Sequence, residues 1–429
     1  MRIFLMIWLG QFASLLGSEM TGFAMSLWAW DATGQATPFS FILVATQVPK
    51  LLIAPFAGVW VDRFNRKYLM LLGDLVAGLS TVVLLVLVLS DQLQVWHLYI
   101  SGAVNGLFGY IQGLAYSASV SLLVPERHYT RASAFESVMG AGSFIVAPAA
   151  AGVMYATTGL GGILMIDLTT FAIAITTLSL LTIPQPSPSL SASAPAIATD
   201  TALQRLMFGT RYLWRHPGLK ALLCFFLISN LIDGLCFTNV FPMVLSRLDN
   251  NTSILGTISA FFGIGGLLGG LMLGVWGGPK RRIHGVLIGN ALWKVTLIAL
   301  ALAQQAPTYL GIALVGGFCA PLSGSCGSAI WRTQVAPNIQ GRVFAARYLI
   351  TQLSTTLGTA IAGPLADHVF EPAMHSGRPL AQTLGGVFGS GTGAGMALQT
   401  SLFATCGLVV VLGGYGTRRL RQIEDGQPT

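Results

Sequence analysis

The sequence predicts an all-α membrane protein, with twelve transmembrane helices in two pseudo-symmetric six-helix bundles. Three observations predict it. Of 429 residues, 53% are hydrophobic and only 9% charged. Soluble domains carry about 25% charged residues, so most of this surface must face lipid. The apolar stretches reach the ~20 residues that a spanning helix needs. A short basic loop also occurs twice: Gly58-Val59-Trp60 recurs as Gly274-Val275-Trp276 at an offset of 216 residues. Arg63, Arg66 and Lys67 follow the first copy; Lys280, Arg281 and Arg282 follow the second. The same offset carries Arg131 onto Arg347, Gly142 onto Gly358 and Pro148 onto Pro364. Anchors sharing one offset mark a chain built from two similar halves.

The first apolar run, 3–28, is too long for a signal-peptide core. It contains Glu19 and lacks an A-x-A cleavage site, so it reads as a retained span. Spans 38–60 and 68–90 flank the first basic loop. Spans 97–123, 133–156 and 160–183 complete a first bundle over 1–183. Pro184 to Thr199 is rich in Pro, Ser and Ala and reads as a flexible linker. From Leu203 to Trp214, apolar and basic residues alternate as in an amphipathic helix on the inner leaflet. Linker and helix together occupy 184–218. Spans 219–246, 253–277, 284–304, 308–331, 344–368 and 394–416 form a second bundle over 219–417, with a tail at 418–429. A Gly/Ser-rich outer loop is expected at 369–393. The glycines of 253–277, Gly263 to Gly274, suit close helix packing; no strand precedes them, which argues against a dinucleotide fingerprint. Barrel strands are excluded because the runs are twice strand length and do not alternate.

With the N-terminus inside, 19 of the 23 Lys and Arg residues fall on the inner side. Arg247 and Arg378 fall outside, and Lys50 and Lys294 within spans. That bias places both termini in the cytoplasm. It also assigns the net charge of +8 to cytoplasmic loops rather than to nucleic acid. The five cysteines, Cys224, Cys236, Cys319, Cys326 and Cys406, lie in apolar stretches and read as small hydrophobes. The six histidines are scattered. No nucleophile–base pair or metal-ligand cluster stands out, so neither an enzyme nor a cofactor is expected.

Gly58, Asp62, Arg63, Arg66 and Lys67 match the G-x-x-x-D-R-x-G-R-R/K signature of the major facilitator superfamily, which the chain resembles over its whole length. Asn65 replaces the second glycine, and asparagine tolerates the left-handed turn that glycine would supply. Ala147-Pro148-Ala149-Ala150-Ala151-Gly152 resembles the G-P-x-x-G-G element of the family's antiporters, with Gly363 and Pro364 at the corresponding place in the second half. Gly10-Gln11-Phe12 through Glu19, Asp167 to Phe171 and Tyr212 to Pro217 resemble the branch of macrolide efflux proteins and the enterobactin exporter.

The resemblance implies the major facilitator fold, a plasma or inner membrane location and alternating access. Spans 3–28, 97–123, 219–246 and 308–331 would then line a central cavity. It also implies a cytoplasmic gate built from Gly58, Asp62, Arg63, Arg66 and Lys67. In that gate Asp62 would meet the start of span 344–368, and Glu126 is the acid available to Arg66. The alternative for the basic residues is that they only set topology.

Ionisable residues inside spans are functional candidates because they are expensive there. Glu19 and Asp233 hold matching places in the two halves, each followed four residues later by phenylalanine. Either can exchange protons in a cavity, or be held structurally by a hydrogen bond or a buried lysine. Lys50 is a counter-ion for Glu19 or a lysine snorkelling to the surface. Lys294 and Asp74 are expected in structural or interface roles, and Asp167 as a helix cap. The leading expectation is a monomeric, proton-driven exporter of amphiphilic small molecules whose partners are substrate, protons and lipid. Alternatives are a facilitator or symporter importing a polar metabolite through Gln47, Asn105, Gln112, Asn230 and Asn239, and a non-transporting membrane sensor or scaffold. Sodium could replace the proton.

Overall fold

The computed structural model describes residues 2–125, 128–181, 202–337, 339–389 and 391–424. Among them every regular element is helical. The chain forms two compact units, Met1–Ala29 with Ile42–Ala202, and Trp30–Phe41 with Leu203–Thr429.

The first unit holds most of α1 (Arg2–Thr33) and α2 (Ala36–Arg63), then α3 (Arg66–Leu89), α4 (Val95–Leu123) and α5 (Tyr129–Leu180). α5 covers two expected spans. Its helical dihedrals break at Gly159 (φ 63°, ψ −167°), a left-handed position open to glycine, while Pro148 stays inside the helix. Pro148 itself shows no break, and Gly159 falls at the boundary expected between spans 133–156 and 160–183. One apolar cluster gathers Phe4, Trp8, Met70, Tyr116 and Ala132. A second gathers Met20, Ala24, Ile42, Leu98, Ala147, Ala151 and Leu164.

The second unit begins with the amphipathic α6 (Ala202–Arg215). Its Leu213 is buried and Gly209 packs against the Arg342 backbone, while Met207 and Trp214 are exposed. Next come α7 (Pro217–Phe237), α8 (Val240–Arg247), α9 (Thr252–Trp276), α10 (Arg282–Leu302), α11 (Ala306–Gln334) and α12 (Gln340–Leu365). A π-helical turn, Ala366–Phe370, leads to α13 (Glu371–Ala373), α14 (Pro379–Phe388), α15 (Ala394–Gly416) and α16 (Arg418–Arg421). The expected outer loop thus carries two helices, and Ala381 and Phe388 of α14 are buried. α9 and α11 pack so closely that a methyl group at Gly269 would collide with the Phe318 carbonyl, as small-residue helix interfaces allow.

Nine helices among the described residues are long and apolar enough to cross a membrane, one of them the double-length 131–180. The expected spans 97–123 and 344–368 fold as α4 and α12 but are not among the nine. Asn105 and Gln112 on α4, and Gln352 and Thr355 on α12, dilute their hydropathy. Twelve remains the expectation of the sequence.

Distant acids and one base close the open ends of helices in the second unit. Asp367 accepts from the amides of Ala36 (2.9 Å) and Thr37 (2.7 Å) and from the Thr37 hydroxyl, capping the N-terminus of α2. Glu371 accepts from Met396 N (2.9 Å) and Gly393 N (3.3 Å) at the start of α15. Glu424 accepts from Arg282 N (3.2 Å) and Ile283 N (3.1 Å) at the start of α10. At the other end of α10, Arg247 donates to the carbonyls of Ala301 and Ala303 (2.8 Å each) and to Phe388 O (2.6 Å). Acids at N-termini and cations at C-termini satisfy orphan backbone groups and complement the helix dipole.

Removing the Asp367 cap by Asp367→Ala should cost about 1 kcal/mol. It should also lower hydrogen-exchange protection at the Ala36 and Thr37 amides; unchanged protection there would show that the cap contributes nothing. Burial pushes the Glu371 carboxyl above the usual carboxylate range, the Met396 and Gly393 amides pull it back, and Asp367 raises it again while His375 lowers it. The folded group binds its proton more tightly than the unfolded one, so its contribution to stability falls as pH rises from about 4.3 through the raised value. Thermal unfolding across that window should lose this downward slope in Glu371→Gln, and an identical slope in the variant would refute the assignment.

Candidate functional site

In the first unit, α1 presents polar residues to two sides. Gln11, Ser14 and Thr21 are buried, whereas Glu19 is exposed. Lys50, half-buried on α2 directly after Pro49, attracts Glu19 electrostatically. Among the described residues no salt bridge joins the two. Nearby, Trp8 stacks on Phe12 with ring centroids 5.3 Å apart and donates from Nε1 to the Phe135 carbonyl at 2.9 Å.

Behind α1, Asp74 of α3 is fully buried. It accepts from Gln112 Nε2 of α4 (2.6 Å), Gln11 Nε2 (3.0 Å) and Ser14 Oγ (3.4 Å). Gln112 also donates to Gln11 Oε1 at 2.9 Å. Asp167 is not the helix cap expected of it. It lies well inside the second part of α5, buried, where it accepts from Thr81 Oγ1 of α3 at 3.0 Å. Sequence reading passed over Glu136. This half-buried acid of α5 interacts electrostatically with the buried Tyr116 of α4, and its position as the one acid between Tyr129 and Ile166 was the available signal.

The basic loop is anchored within its own unit. Asn65 has φ −62° and ψ 118°, an extended N-cap whose side chain accepts from Lys67 N at 3.0 Å. The expected left-handed turn is absent, because an asparagine that caps α3 needs no such conformation. Arg66 Nη1 donates to the Ala118 carbonyl at 2.6 Å. Lys67 Nζ donates to the carbonyls of Ser179 (2.9 Å) and Leu181 (2.8 Å), at the end of α5. Arg66 and Lys67 therefore tie the start of α3 to other helices of the unit, and Lys67 does more than signal topology. Gly58, Asp62 and Arg63 are exposed. Glu126, the expected partner of Arg66, lies outside the described residues.

The antiporter-like segments sit in tight packing. Ala147, Ala151 and Gly152 are buried and Pro148 is half-buried. Gly363, just before Pro364 on α12, has its Cα against Ser40, Thr37 and Ala36 with no space for a side chain.

In the second unit, Asp233 of α7 forms an ion pair with Lys294 of α10. The lysine side chain is 0% exposed and the aspartate side chain 23%. Trp293 Nε1 donates to the same Asp233 Oδ1 at 2.8 Å, and Lys294 reaches Ser229 O at 3.4 Å. Phe237 and Phe262 each lie 5.8 Å from the Trp293 ring, and Phe241 lies 5.7 Å from Phe237. A partly open carboxylate thus borders an aromatic wall, a setting suited to a cationic or amphiphilic group. Pairing Asp233 with Lys294 was not legible beforehand, since the residues are 61 apart in sequence. On α11, Gly324, Ser325, Ser328, Ala329 and Arg332 line a shallow, open hollow.

Two kinds of comparison bear on this arrangement. The chain is 26% identical to macrolide efflux protein A of Streptococcus pyogenes, across 85% of this chain and 90% of the relative. It is 24% identical to the multidrug efflux pump Tap of Mycolicibacterium fortuitum, across 83% and 88%. Among solved structures, it matches a bacterial homolog of the human lysosomal transporter Spinster with TM-score 0.73 and 12% identity, covering 100% of this chain and 98% of that one. The nucleoside transporter NupG matches with TM-score 0.72 and 12% identity, covering 97% and 99%. At that identity these two speak for the fold. The sequence pattern that defines the Major Facilitator Superfamily runs through residues 7–359, and the chain is a member of that family of membrane transporters.

Proposed function

We propose that the protein is a proton-coupled exporter of amphiphilic small molecules, of the macrolide or multidrug kind, working by alternating access in the plasma or inner membrane with both termini cytoplasmic. The observation that carries the reading is the exposed carboxylate of Glu19 in the middle of the membrane-spanning α1, attracted by the half-buried Lys50. A carboxylate open to water on one side can exchange a proton, and a nearby ammonium sets how readily it does so. The named efflux relatives support the direction of transport. The aromatic residues around Asp233 support an amphiphilic substrate.

Asp233 has a different part. Neutralising it would strand the Lys294 ammonium, which has no exposure to water, and a buried charge without its partner costs several kcal/mol. Asp233 therefore serves as a fixed anion for the lysine, and any proton it takes must be matched by loss of charge at Lys294. Of these two acids, Glu19 is the one without a cation in salt-bridge contact.

In inverted vesicles with macrolides and lipophilic cationic dyes, a protonophore should abolish uptake, and Glu19→Gln should do the same while sparing downhill movement. Wild-type rates in both Glu19→Gln and Asp233→Asn under a proton gradient would remove these acids from coupling. Separately, Asp233→Asn should lower stability by roughly 3–5 kcal/mol, and the added change Lys294→Met should restore most of it. Thermal unfolding in detergent measures this; a double variant no more stable than the single one would contradict it.

A further inference from the structure

We propose that the first unit binds a monovalent cation, a proton or a sodium ion, at Asp74, inside the polar pocket between α1, α3 and α4. The inference goes beyond Glu19 and rests on the transporter reading for its use, though not for its existence.

Asp74 and Asp167 are both buried on the side of α1 away from Glu19. Among the described residues no lysine, arginine or histidine nitrogen lies within ion-pair distance of either. A carboxylate at such depth whose neighbours are neutral amides and a hydroxyl keeps its full charge at a desolvation cost that a proton or a bound cation relieves. The two acids meet α1 one turn apart, Asp74 at Ser14 and Asp167 at Gly17.

The pocket is built. A Cβ at Gly73 would sit 2.8 Å from both Cβ and Oε1 of Gln112, so this glycine leaves the space through which Gln112 reaches Asp74. A Cβ at Gly17 would sit 2.7 Å from Asp167 Oδ1. Gln112 is half-buried, the most exposed member of the cluster. Oxygen ligands are at hand: both Asp74 oxygens, Ser14 Oγ, and the amide oxygens of Gln11 and Gln112, whose rotation exchanges donor for acceptor. The Asp167 Oδ1 and Thr21 Oγ1 atoms are buried beside each other with no hydrogen bond of good geometry. That pair can take up a proton or an ion leaving Asp74. The other titratable groups on the neighbouring elements are Tyr116 on α4 and, interacting with it, Glu136 on α5.

The test uses the purified full-length protein in nanodiscs, with infrared difference spectra recorded against pH and against sodium chloride at fixed pH. A carboxyl band that responds in the wild type and in Glu19→Gln but is absent in Asp74→Asn supports the site. Response to pH alone assigns the proton, and response to sodium at fixed pH assigns sodium. A band unchanged in Asp74→Asn overturns the proposal whether or not any substrate is moved. If Asp74→Asn does not fold, Gln112→Leu must shift the midpoint of the band by about tenfold in cation affinity; an unmoved midpoint overturns it equally. In proteoliposomes, Asp74→Asn should reduce gradient-driven accumulation at least about tenfold while leaving substrate exchange within about twofold. Equal loss of both makes Asp74 structural and overturns the proposal. Absence of gradient-driven export by the wild type would instead sink the exporter reading and leave the infrared result standing.

Discussion

A carboxylate inside a lipid-embedded helix bundle is tolerated only where a cation, a helix dipole or a set of hydrogen-bond donors meets it. This fold answers that constraint in three ways. Asp233 is met by Lys294. Asp367, Glu371 and Glu424 are met by the amino ends of α2, α15 and α10. Asp74 is met by the amides of Gln11 and Gln112. The first answer fixes charge, the second closes helices and the third leaves the charge to be balanced by something mobile. Glu19 stands outside all three, on an exposed face of α1 with only a coulombic neighbour.

Much of the fold was legible because spanning helices announce themselves by run length and charge scarcity. The ends of the apolar runs fall within a few residues of α1, α3, α9 and α15. Places where local rules misled share one cause. Pro148 stays within helix, and the break falls at Gly159, between the two spans separated by run length, where positive φ favours glycine. Asn65 could be read as a left-handed turn or as a cap, and only the start of α3 decides between them. Asp167 looked like a cap because a helix was expected to begin near it, while its partner Thr81 lies on another helix. The count of spans was harder still: α4 and α12 are long but interrupted by polar side chains such as Asn105, Gln112, Gln352 and Thr355.

The candidate site was legible residue by residue but not pair by pair. Glu19 and Lys50 could be joined by eye because both are rare charges in neighbouring runs. Asp233 and Lys294 could not, because nothing in a linear pattern says which face of α10 meets α7. Glu136 escaped notice by its closeness to a run boundary, although Tyr116, which it faces, is buried.

The two halves of the repeat solve the same problem at the start of their third helix with different parts. In the first, Asn65 caps α3 from the adjacent position. In the second, the amides that open α10 are held by Glu424, 142 residues further along the chain. Helix α10 is thus synthesised and inserted long before its closing carboxylate exists. Completion of the second unit therefore depends on a carboxylate made 142 residues after the helix it closes, so α10 is not sealed when the helix itself has been made.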